Sequence, residues 1–240
     1  IGDGMGDSEI TIARNYSVGA AGRLNLDRLP LTGAITTYAV QEANSNLPEY
    51  APESASTASG WSTGVKTSNG RISTAAGSDQ DLTTILELAQ QAGLRTGDVS
   101  TAELTDATPA APTSHVRLRA CQGPQDMATC PQDTKAAGGP GSIAEQQVDH
   151  GVDVLLGGGK RRFDQVIDAG PDAGKTVIQS AQRQGYAVVT DAAGLAAAQP
   201  GQKVLGLFNS GNLSLEWSGQ LAAPGAGSGP QRCVENQRPA

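Results

Sequence analysis

Three short stretches of this chain carry side chains that could bind a cation or an anion. Asp3 lies between glycines in "IGDGMGDSE", where bare backbone lets a hard or borderline cation approach a carboxylate. Ser54, in "PESASTASGWSTGVKT", stands where a helix would begin, and amide donors at a helix N-terminus favour an anion. Asp106 and Thr108, in "STAELTDATPAAPTSHVRLRAC" (100–121), are hard oxygen ligands two residues apart. Arg119 follows, and a guanidinium fork near a metal site suits a phosphate.

Each stretch alone also has a plainer interpretation. Asp3 would be an aspartate in a turn, bonded to nearby amides, and its glycines fit a nucleotide-binding fingerprint poorly because the third comes one position early. Ser54 would be a simple N-cap, with Glu53 as a surface charge. Arg117 and Arg119 would be solvated side chains on a polar face. The residue types therefore leave both interpretations open for each stretch taken alone.

The cysteines bear on the compartment. Cys121 and Cys130 bracket a polar loop, and they could form a local disulfide worth about 3 kcal/mol, stay as free thiols, or supply half of a metal site. Zinc pairs usually have tighter spacing, so we favour the disulfide, which indicates an oxidising environment. Cys233 is then left over and suggests a partner elsewhere.

Composition and charge exclude some classes of function. The 240 residues include 31 glycines and carry a net charge of −7, which argues against nucleic acid or an anionic membrane as the main partner. No apolar run approaches the roughly 20 residues of a membrane span. The chain shows no signal peptide, so we expect a mature, cytosolic or N-terminally truncated protein.

Helical and strand patterns alternate along the chain. This alternation predicts an α/β fold with a largely parallel sheet covered by helices, and ligands in such folds bind beyond the carboxyl ends of the strands. The predicted helices span 8–17, 81–94 with Gly93 at its end, 142–151 with a Ser142–Glu145 capping box, and 175–185. The predicted strands span 31–40, 95–101, 152–159, 186–191 and 203–208.

Taken together, the stretches resemble the bacterial-type alkaline phosphatases. The resemblance rests on "IGDGMGDSE", "ESASTASGWSTGVKTSNG", "TGDVSTAELTDATPAA" and "HVRLRACQGP", and it continues through "GSIAEQQ", "DVLLGGG" and "LGLFNSGN". It covers nearly the whole chain, and runs as long as "WSTGVKT" make coincidence implausible. The resemblance implies a three-layer α/β sandwich and the hydrolysis of phosphate monoesters, with inorganic phosphate as product.

The resemblance also implies a role for each matching residue. Asp3 would bridge a zinc and the magnesium ion, and Ser54 would be the nucleophile that forms a phosphoseryl intermediate while its oxygen meets a zinc ion. Thr108 would ligate magnesium, with Asp106 beside it acting through a water. Arg119 would bind two phosphate oxygens. The implied cofactors are two zinc ions and one magnesium ion.

One position departs from the family pattern. The residue before the nucleophile is commonly Asp in the family, where its carboxylate orients the arginine, and here it is Glu53. The extra methylene puts the tightness of Arg119 on phosphate in question. Arg117 and His115 do not match functional positions, so we expect structural roles for them and a surface position for His150.

The resemblance further implies that the site is not complete in this chain. Residues 1–240 would be the N-terminal part of a single catalytic domain, inactive alone, with 221–240 as a loop or frayed end. A missing C-terminal half, in the same polypeptide or as a separate chain, would supply the zinc histidines and the disulfide partner of Cys233. The strand before Gly2 is represented by Ile1 alone. We expect a periplasmic or secreted homodimer that binds no nucleic acid and does not span a membrane.

Other classes of function remain as alternatives. A related metallo-phosphodiesterase or sulfatase-like hydrolase would share the fold and a Ser or Thr nucleophile, but Arg119 favours a terminal phosphoryl group. A non-catalytic phosphate-binding fragment would retain Arg119 and show no turnover. A serine esterase fits worst, because the chain has no G-x-S-x-G elbow and no candidate His–Asp pair.

Overall fold

The computed structural model describes residues 5–215 and the backbone of two short strands at 217–218 and 234–235. Asp3, Cys233 and most of the predicted loop at 221–240 lie outside the described residues. The chain divides into two units, Ile1–Thr37 and Tyr38–Ala240.

Within its described residues, 5–37, the first unit contains one α-helix. Helix α1, Asp7–Ser17, confirms the helix predicted at 8–17, and a 3₁₀ turn follows at Leu26–Arg28. Arg14 near the end of α1 forms an ion pair with Asp27, at 2.6 Å between Nη2 and Oδ1. Neither of these helical segments has a buried residue.

The second unit begins with a short hairpin. Strands β1, Ala39–Gln41, and β2, Asn44–Glu49, pair antiparallel. The strand predicted at 31–40 is therefore wrong over most of its length. Leu31 and Ile35 are exposed, and β-branched residues form a strand only where a partner and a buried face are present.

Capping residues set where the helices begin. Helix α5, Ile143–Asp149, starts after Ser142 with the predicted capping box to Glu145. Helix α3, Ile85–Gln91, starts later than predicted, because Thr84 is the N-cap and forms its own capping box with Glu87, and Gly93 follows the end with a φ of +74°. The helices are α2, Ser54–Thr63; α3, Ile85–Gln91; α4, Ala107–Ala110; α5, Ile143–Asp149; α6, Lys160–Phe163; α7, Val177–Arg183; and α8, Ala192–Ala197.

A four-stranded parallel sheet confirms the predicted fold class. The strands lie in the order β3-β4-β6-β5, and all three pairings are parallel. Helices flank this sheet, with α7 packed on β5 and α4 beside β3. The strands are β3, Gly97–Glu103; β4, Val154–Gly158; β5, Tyr186–Val189; and β6, Lys203–Leu207. A further antiparallel pair joins β7, Trp217–Ser218, to β8, Val234–Glu235.

Two groups of buried apolar side chains form the core. The sheet cluster lies between the parallel strands and their helices and comprises Leu86, Leu104, Ala144, Val148, Val152, Leu155, Phe163, Ile167, Val177, Ala181, Tyr186, Leu205 and Leu207. The loop cluster lies under α2, α4 and the segments around them and comprises Ala55, Ile72, Ala107, Ala110, Val116, Cys121, Met127, Cys130 and Ile143. The two predicted site stretches around Ser54 and Asp106 both contribute residues to the loop cluster.

Candidate active site

Helix α2 presents Ser54 at its first turn. Glu53 is the N-cap, and its carboxylate accepts hydrogen bonds from the amides of Ala55 at 3.0 Å and Ser56 at 3.2 Å. Ser54 is therefore the first helical residue rather than the N-cap, and Glu53 is a half-buried structural acceptor rather than a surface charge. The amides that the sequence suggested for a bound anion are already occupied by this carboxylate.

Arg119 joins its own site stretch to the stretch that begins α2, and both lie within the described residues. Its Nη1 donates to Glu53 Oε2 at 2.5 Å and to Ser54 Oγ at 2.7 Å, and its Nη2 donates to Asp106 Oδ1. One guanidinium thus contacts residues 65 and 13 positions away in sequence. We call Glu53, Ser54, Asp106 and Arg119 the arginine cluster.

The charges of the arginine cluster are strongly coupled. Partial burial raises the pKa of Glu53, but hydrogen bonds from Ala55, Gly70 and Arg119 lower it more, so the net shift is downward. Partial burial lowers the pKa of Arg119, and its bonds to Glu53 and Asp106 raise it above the ordinary value. Two carboxylates and one guanidinium leave the cluster formally negative, so binding a phosphate dianion there requires further positive charge.

Asp106 and Thr108 lie at the start of α4, directly after β3. Asp106 is the N-cap, and its Oδ1 accepts from the amide of Ala107 at 2.8 Å. Thr108 is partly buried in the short helix, and its hydroxyl makes no hydrogen bond to another described residue. The hydroxyl is thus a free oxygen donor next to a carboxylate that already contacts Arg119.

The described oxygen donors fit magnesium better than zinc. Asp106 and Thr108 offer the hard oxygen ligands that magnesium prefers. Between residues 5 and 215, no group of three or more His, Cys, Asp or Glu could hold a metal ion. Zinc prefers the nitrogen of histidine and the sulfur of cysteine, and the arginine cluster contains neither residue, so these residues do not form a zinc site by themselves.

Both histidines lie away from the arginine cluster. His115 is buried, with Nδ1 at 2.9 Å from the carbonyl of Ser73 and Nε2 at 3.1 Å from Glu87. His150 is partly buried rather than on the surface, because its Nδ1 lies 2.9 Å from the carbonyl of Thr113. The side chain of Arg117 is exposed and makes no contact with the cluster.

A disulfide closes the loop that follows Arg119. Cys121 and Cys130 are bonded, with 6.3 Å between their Cα atoms, and both are fully buried in the loop cluster. This confirms the disulfide among the three interpretations of the pair. Cys121 lies two residues after Arg119, and its carbonyl accepts from the amide of Ile143 at 3.1 Å. This backbone hydrogen bond anchors the segment around Arg119 to α5.

A turn at Asn69 and Gly70, which sequence reasoning missed, also contacts Glu53. Asn69 accepts from the Glu53 amide at 3.2 Å, and Gly70 donates its amide to Glu53 Oε1 at 2.7 Å. The Asn-Gly dipeptide is a turn signal that could have been noted. Its contact with a residue 16 positions earlier depends on the tertiary fold, which no local pattern encodes.

The structure thus brings a serine, an arginine and two carboxylates into contact, in a fold with a parallel sheet flanked by helices. The family model for alkaline phosphatase matches residues 1–226. The chain therefore belongs to the alkaline phosphatase family.

Curated relatives agree with this assignment. Streptomycin-6-phosphate phosphatase of Streptomyces griseus is 56% identical over 98% of this chain, and alkaline phosphatase of Escherichia coli strain K12 is 48% identical over 92%. The matched regions make up 51% and 48% of those two proteins. The chain thus spans about half the length of the curated relatives that it matches.

Solved structures give the same fold. The cold-active alkaline phosphatase of a psychrophilic Shewanella species superposes with a TM-score of 0.67 at 28% identity, covering 89% of this chain and 46% of that structure. Thermus thermophilus alkaline phosphatase superposes with a TM-score of 0.67 at 29% identity, covering 90% and 40%. Among the described residues, no helix is long and apolar enough to cross a membrane.

Proposed function

We propose that this chain carries the nucleophile and the phosphate-binding arginine of a metal-dependent phosphate monoesterase. The observation that supports it best is the 2.7 Å hydrogen bond from Arg119 Nη1 to Ser54 Oγ. It places a fixed cation beside a hydroxyl at the start of a helix, where both could meet one phosphoryl group. Membership of a family whose curated relatives are phosphatases supports the same reaction.

Two displacements at phosphorus account for the hydrolysis. In the first, Ser54 Oγ loses its proton and forms a bond to phosphorus as the bond to the alcohol oxygen breaks, and the departing oxygen takes up a proton, which gives a phosphoseryl intermediate and the free alcohol. In the second, a water oxygen bonds to phosphorus as the bond to Ser54 Oγ breaks, which releases inorganic phosphate. Arg119 neutralises charge on the non-bridging oxygens in both steps, and Glu53 orients Arg119.

Metal ions complete the proposal. Thr108 and Asp106 would hold magnesium together with Asp3, and two zinc ions would involve Ser54, Asp3 and ligands from outside the described residues. When bound, these ions supply Lewis-acid chemistry that lowers the pKa of a hydroxyl and stabilises a leaving oxygen. The formally negative arginine cluster supports this requirement, because phosphate is itself an anion.

The same proposal extends to how the protein is organised. We place 1–240 as the N-terminal part of one catalytic domain whose zinc ligands come from a further segment, in a periplasmic or secreted homodimer. The coverage of about half of the relatives from Streptomyces griseus and Escherichia coli supports the further segment. The buried Cys121–Cys130 disulfide supports an oxidising compartment.

Hydrolysis of p-nitrophenyl phosphate by the native protein tests the reaction. We expect release of p-nitrophenol that a chelator abolishes and added zinc with magnesium restores. Bis(p-nitrophenyl) phosphate and p-nitrophenyl sulfate are the comparison substrates, and both should react far more slowly. Faster cleavage of the diester or the sulfate would support the alternative hydrolases, and phosphate binding without turnover would support a binding fragment.

The substrate preference has a second candidate. The relative from Streptomyces griseus is named for streptomycin 6-phosphate, and it shares more of this sequence than the alkaline phosphatase of Escherichia coli does. We therefore propose a phosphorylated aminoglycoside as a substrate to compare with p-nitrophenyl phosphate. A higher kcat/KM for streptomycin 6-phosphate would support this preference, and an equal or lower value would contradict it.

A further inference from the structure

A short turn at 68–71 lies against the start of α2 and contacts both ends of the Glu53–Arg119 pair. We propose that Asn69 in this turn is a positioning residue that sets the phosphoryl-binding geometry of Ser54 and Arg119 by fixing Glu53. This inference deepens the proposed function and rests on it.

The carboxamide of Asn69 bridges the chain on both sides of the helix start. Its Oδ1 accepts from the Glu53 amide at 3.2 Å and from Ser56 Oγ at 2.8 Å, and its Nδ2 donates to the carbonyl of Ala51 at 3.0 Å. A backbone N–H can only donate and a backbone carbonyl can only accept, so these contacts fix which way round the Asn69 carboxamide lies. Asn69 thus fixes the backbone from which the Glu53 side chain extends.

Gly70 contacts both the side chain of Glu53 and the backbone of Arg119. Its amide donates to Glu53 Oε1 at 2.7 Å, and its carbonyl accepts from the Arg119 amide at 2.7 Å. Gly70 has a φ of +88°, and a Cβ there would lie 3.0 Å from Leu118 Cδ2, so this position requires glycine. One turn therefore sets the carboxylate of Glu53 and the main chain of Arg119 together.

Loss of the Asn69 bridge should act on Arg119 through Glu53. Without the Asn69 bridge, the backbone amide of Glu53 loses its hydrogen bond to Asn69. The Glu53 side chain can then shift, and with it Oε2, which accepts from Arg119 at 2.5 Å. A guanidinium that binds phosphate through two parallel hydrogen bonds loses affinity when small rotations of the guanidinium misalign them. The effect should fall on phosphate affinity and on kcat more than on folding, because Asn69 is exposed and lies outside both apolar clusters.

Four variants of the native protein test this role. Asn69→Ala removes every hydrogen bond of the bridge. Asn69→Ser has a side chain too short to make them all, and this variant is measured instead if the alanine variant does not fold. Asn69→Asp keeps the acceptor for Glu53 and Ser56 and should restore part of the function. Asn44→Ala is the matched control, because Asn44 is an exposed asparagine whose Oδ1 also accepts a backbone amide, that of Asn46, at 3.1 Å.

The measurements are the dissociation constant of inorganic phosphate by calorimetry, kcat and KM for p-nitrophenyl phosphate, and the melting temperature. We expect Asn69→Ala and Asn69→Ser to weaken phosphate binding by about tenfold and to lower kcat, with a melting temperature close to that of Asn44→Ala. Phosphate affinity within about twofold of the control in whichever of these variants folds would overturn the proposal. Wild-type protein that binds no phosphate would instead count against the proposed function itself.

Discussion

The sheet cluster and the arginine cluster are stabilised in opposite ways. The sheet cluster consists of large apolar side chains such as Leu155, Phe163 and Leu205, which are fully buried. The arginine cluster sits on small residues of α2 and is fixed by ion pairs, caps and the disulfide that follows Arg119. Burial of apolar area is non-directional, whereas hydrogen bonds fix angles as well as distances.

This difference predicts which property a substitution should change. In the sheet cluster, a smaller side chain removes apolar contacts and lowers stability without redirecting a functional group. Around Arg119, loss of one donor or acceptor redirects the groups that remain and lowers affinity or rate.

Leu155→Ala should have the largest effect, and it should be on stability. Leu155 lies on β4 in the centre of the sheet cluster and is completely buried, so we expect the free energy of unfolding to fall by about 2–5 kcal/mol. Phosphate affinity of the folded fraction should not change. Urea unfolding with phosphate calorimetry measures both, and Leu88→Ala, at a residue that is 54% exposed, is the control. A variant that loses phosphate affinity but no stability would contradict the contrast.

Removal of the disulfide should affect both properties. The double variant Cys121→Ala, Cys130→Ala opens a loop with a sequence separation of 9 and should lower the free energy of unfolding by about 2–3 kcal/mol. Because Cys121 lies two residues after Arg119, we also expect weaker phosphate binding. Denaturation and calorimetry under identical redox conditions check this, and unchanged phosphate affinity would show that Arg119 is positioned without the disulfide.

Arg119→Lys should change affinity with little change in stability. Lysine retains the charge but lacks the fork that contacts Glu53, Ser54 and Asp106 at once. We expect phosphate binding to weaken by about 10- to 100-fold, which corresponds to about 1.4–2.8 kcal/mol. Arg117→Lys is the control, since Arg117 is exposed and outside the cluster. Equal affinities for the two variants would exclude Arg119 as the phosphate ligand.

Asp98→Asn should change stability in a way that depends on pH. Burial raises the pKa of Asp98 on β3 to about 7, and its Oδ2 has no hydrogen-bond partner among the described residues. The folded state therefore binds the proton more tightly than the unfolded state, and stability falls as the pH rises from 3.8 to about 7. The amide side chain of asparagine does not titrate, so the stability advantage of the variant over the wild type should grow as the pH rises from 3.8 to about 7.

Thermal unfolding across this pH range measures the effect of Asp98. Asp168→Asn, at an exposed aspartate, is the control and should follow the wild-type pH dependence. An Asp98→Asn protein whose stability varies with pH as the wild type does would contradict the assignment.

Much of the fold could be predicted from the sequence because its signals are local. The Ser142–Glu145 capping box, the apolar run of β4 and the glycine after α3 each specify an element within a few residues. The strand predicted at 31–40 failed because a strand also needs a partner, and hydrogen-bonded pairing is not encoded in the segment itself. The hairpin partner β2 and its pairing with β1 were missed for the same reason.

The candidate site divides in the same way. The identities of Ser54, Asp106 and Arg119 could be proposed from their motifs, and the structure brings these three together. The role of Glu53 as N-cap and the bridge from Asn69 could not be predicted, since both depend on which backbone amides face a side chain after folding. Asp3 stays a prediction, because it lies outside the described residues.

The most direct test of the account is to find the residue that carries the phosphoryl group. The native protein is incubated with p-nitrophenyl phosphate, quenched in acid and mapped by peptide mass spectrometry, beside its Ser54→Ala variant. Because Arg119 contacts Ser54 Oγ at 2.7 Å, the account predicts one phosphoryl group on Ser54 and none in the variant. Covalent phosphate on another residue, or its retention in Ser54→Ala, would contradict the assignment of Ser54 as the nucleophile.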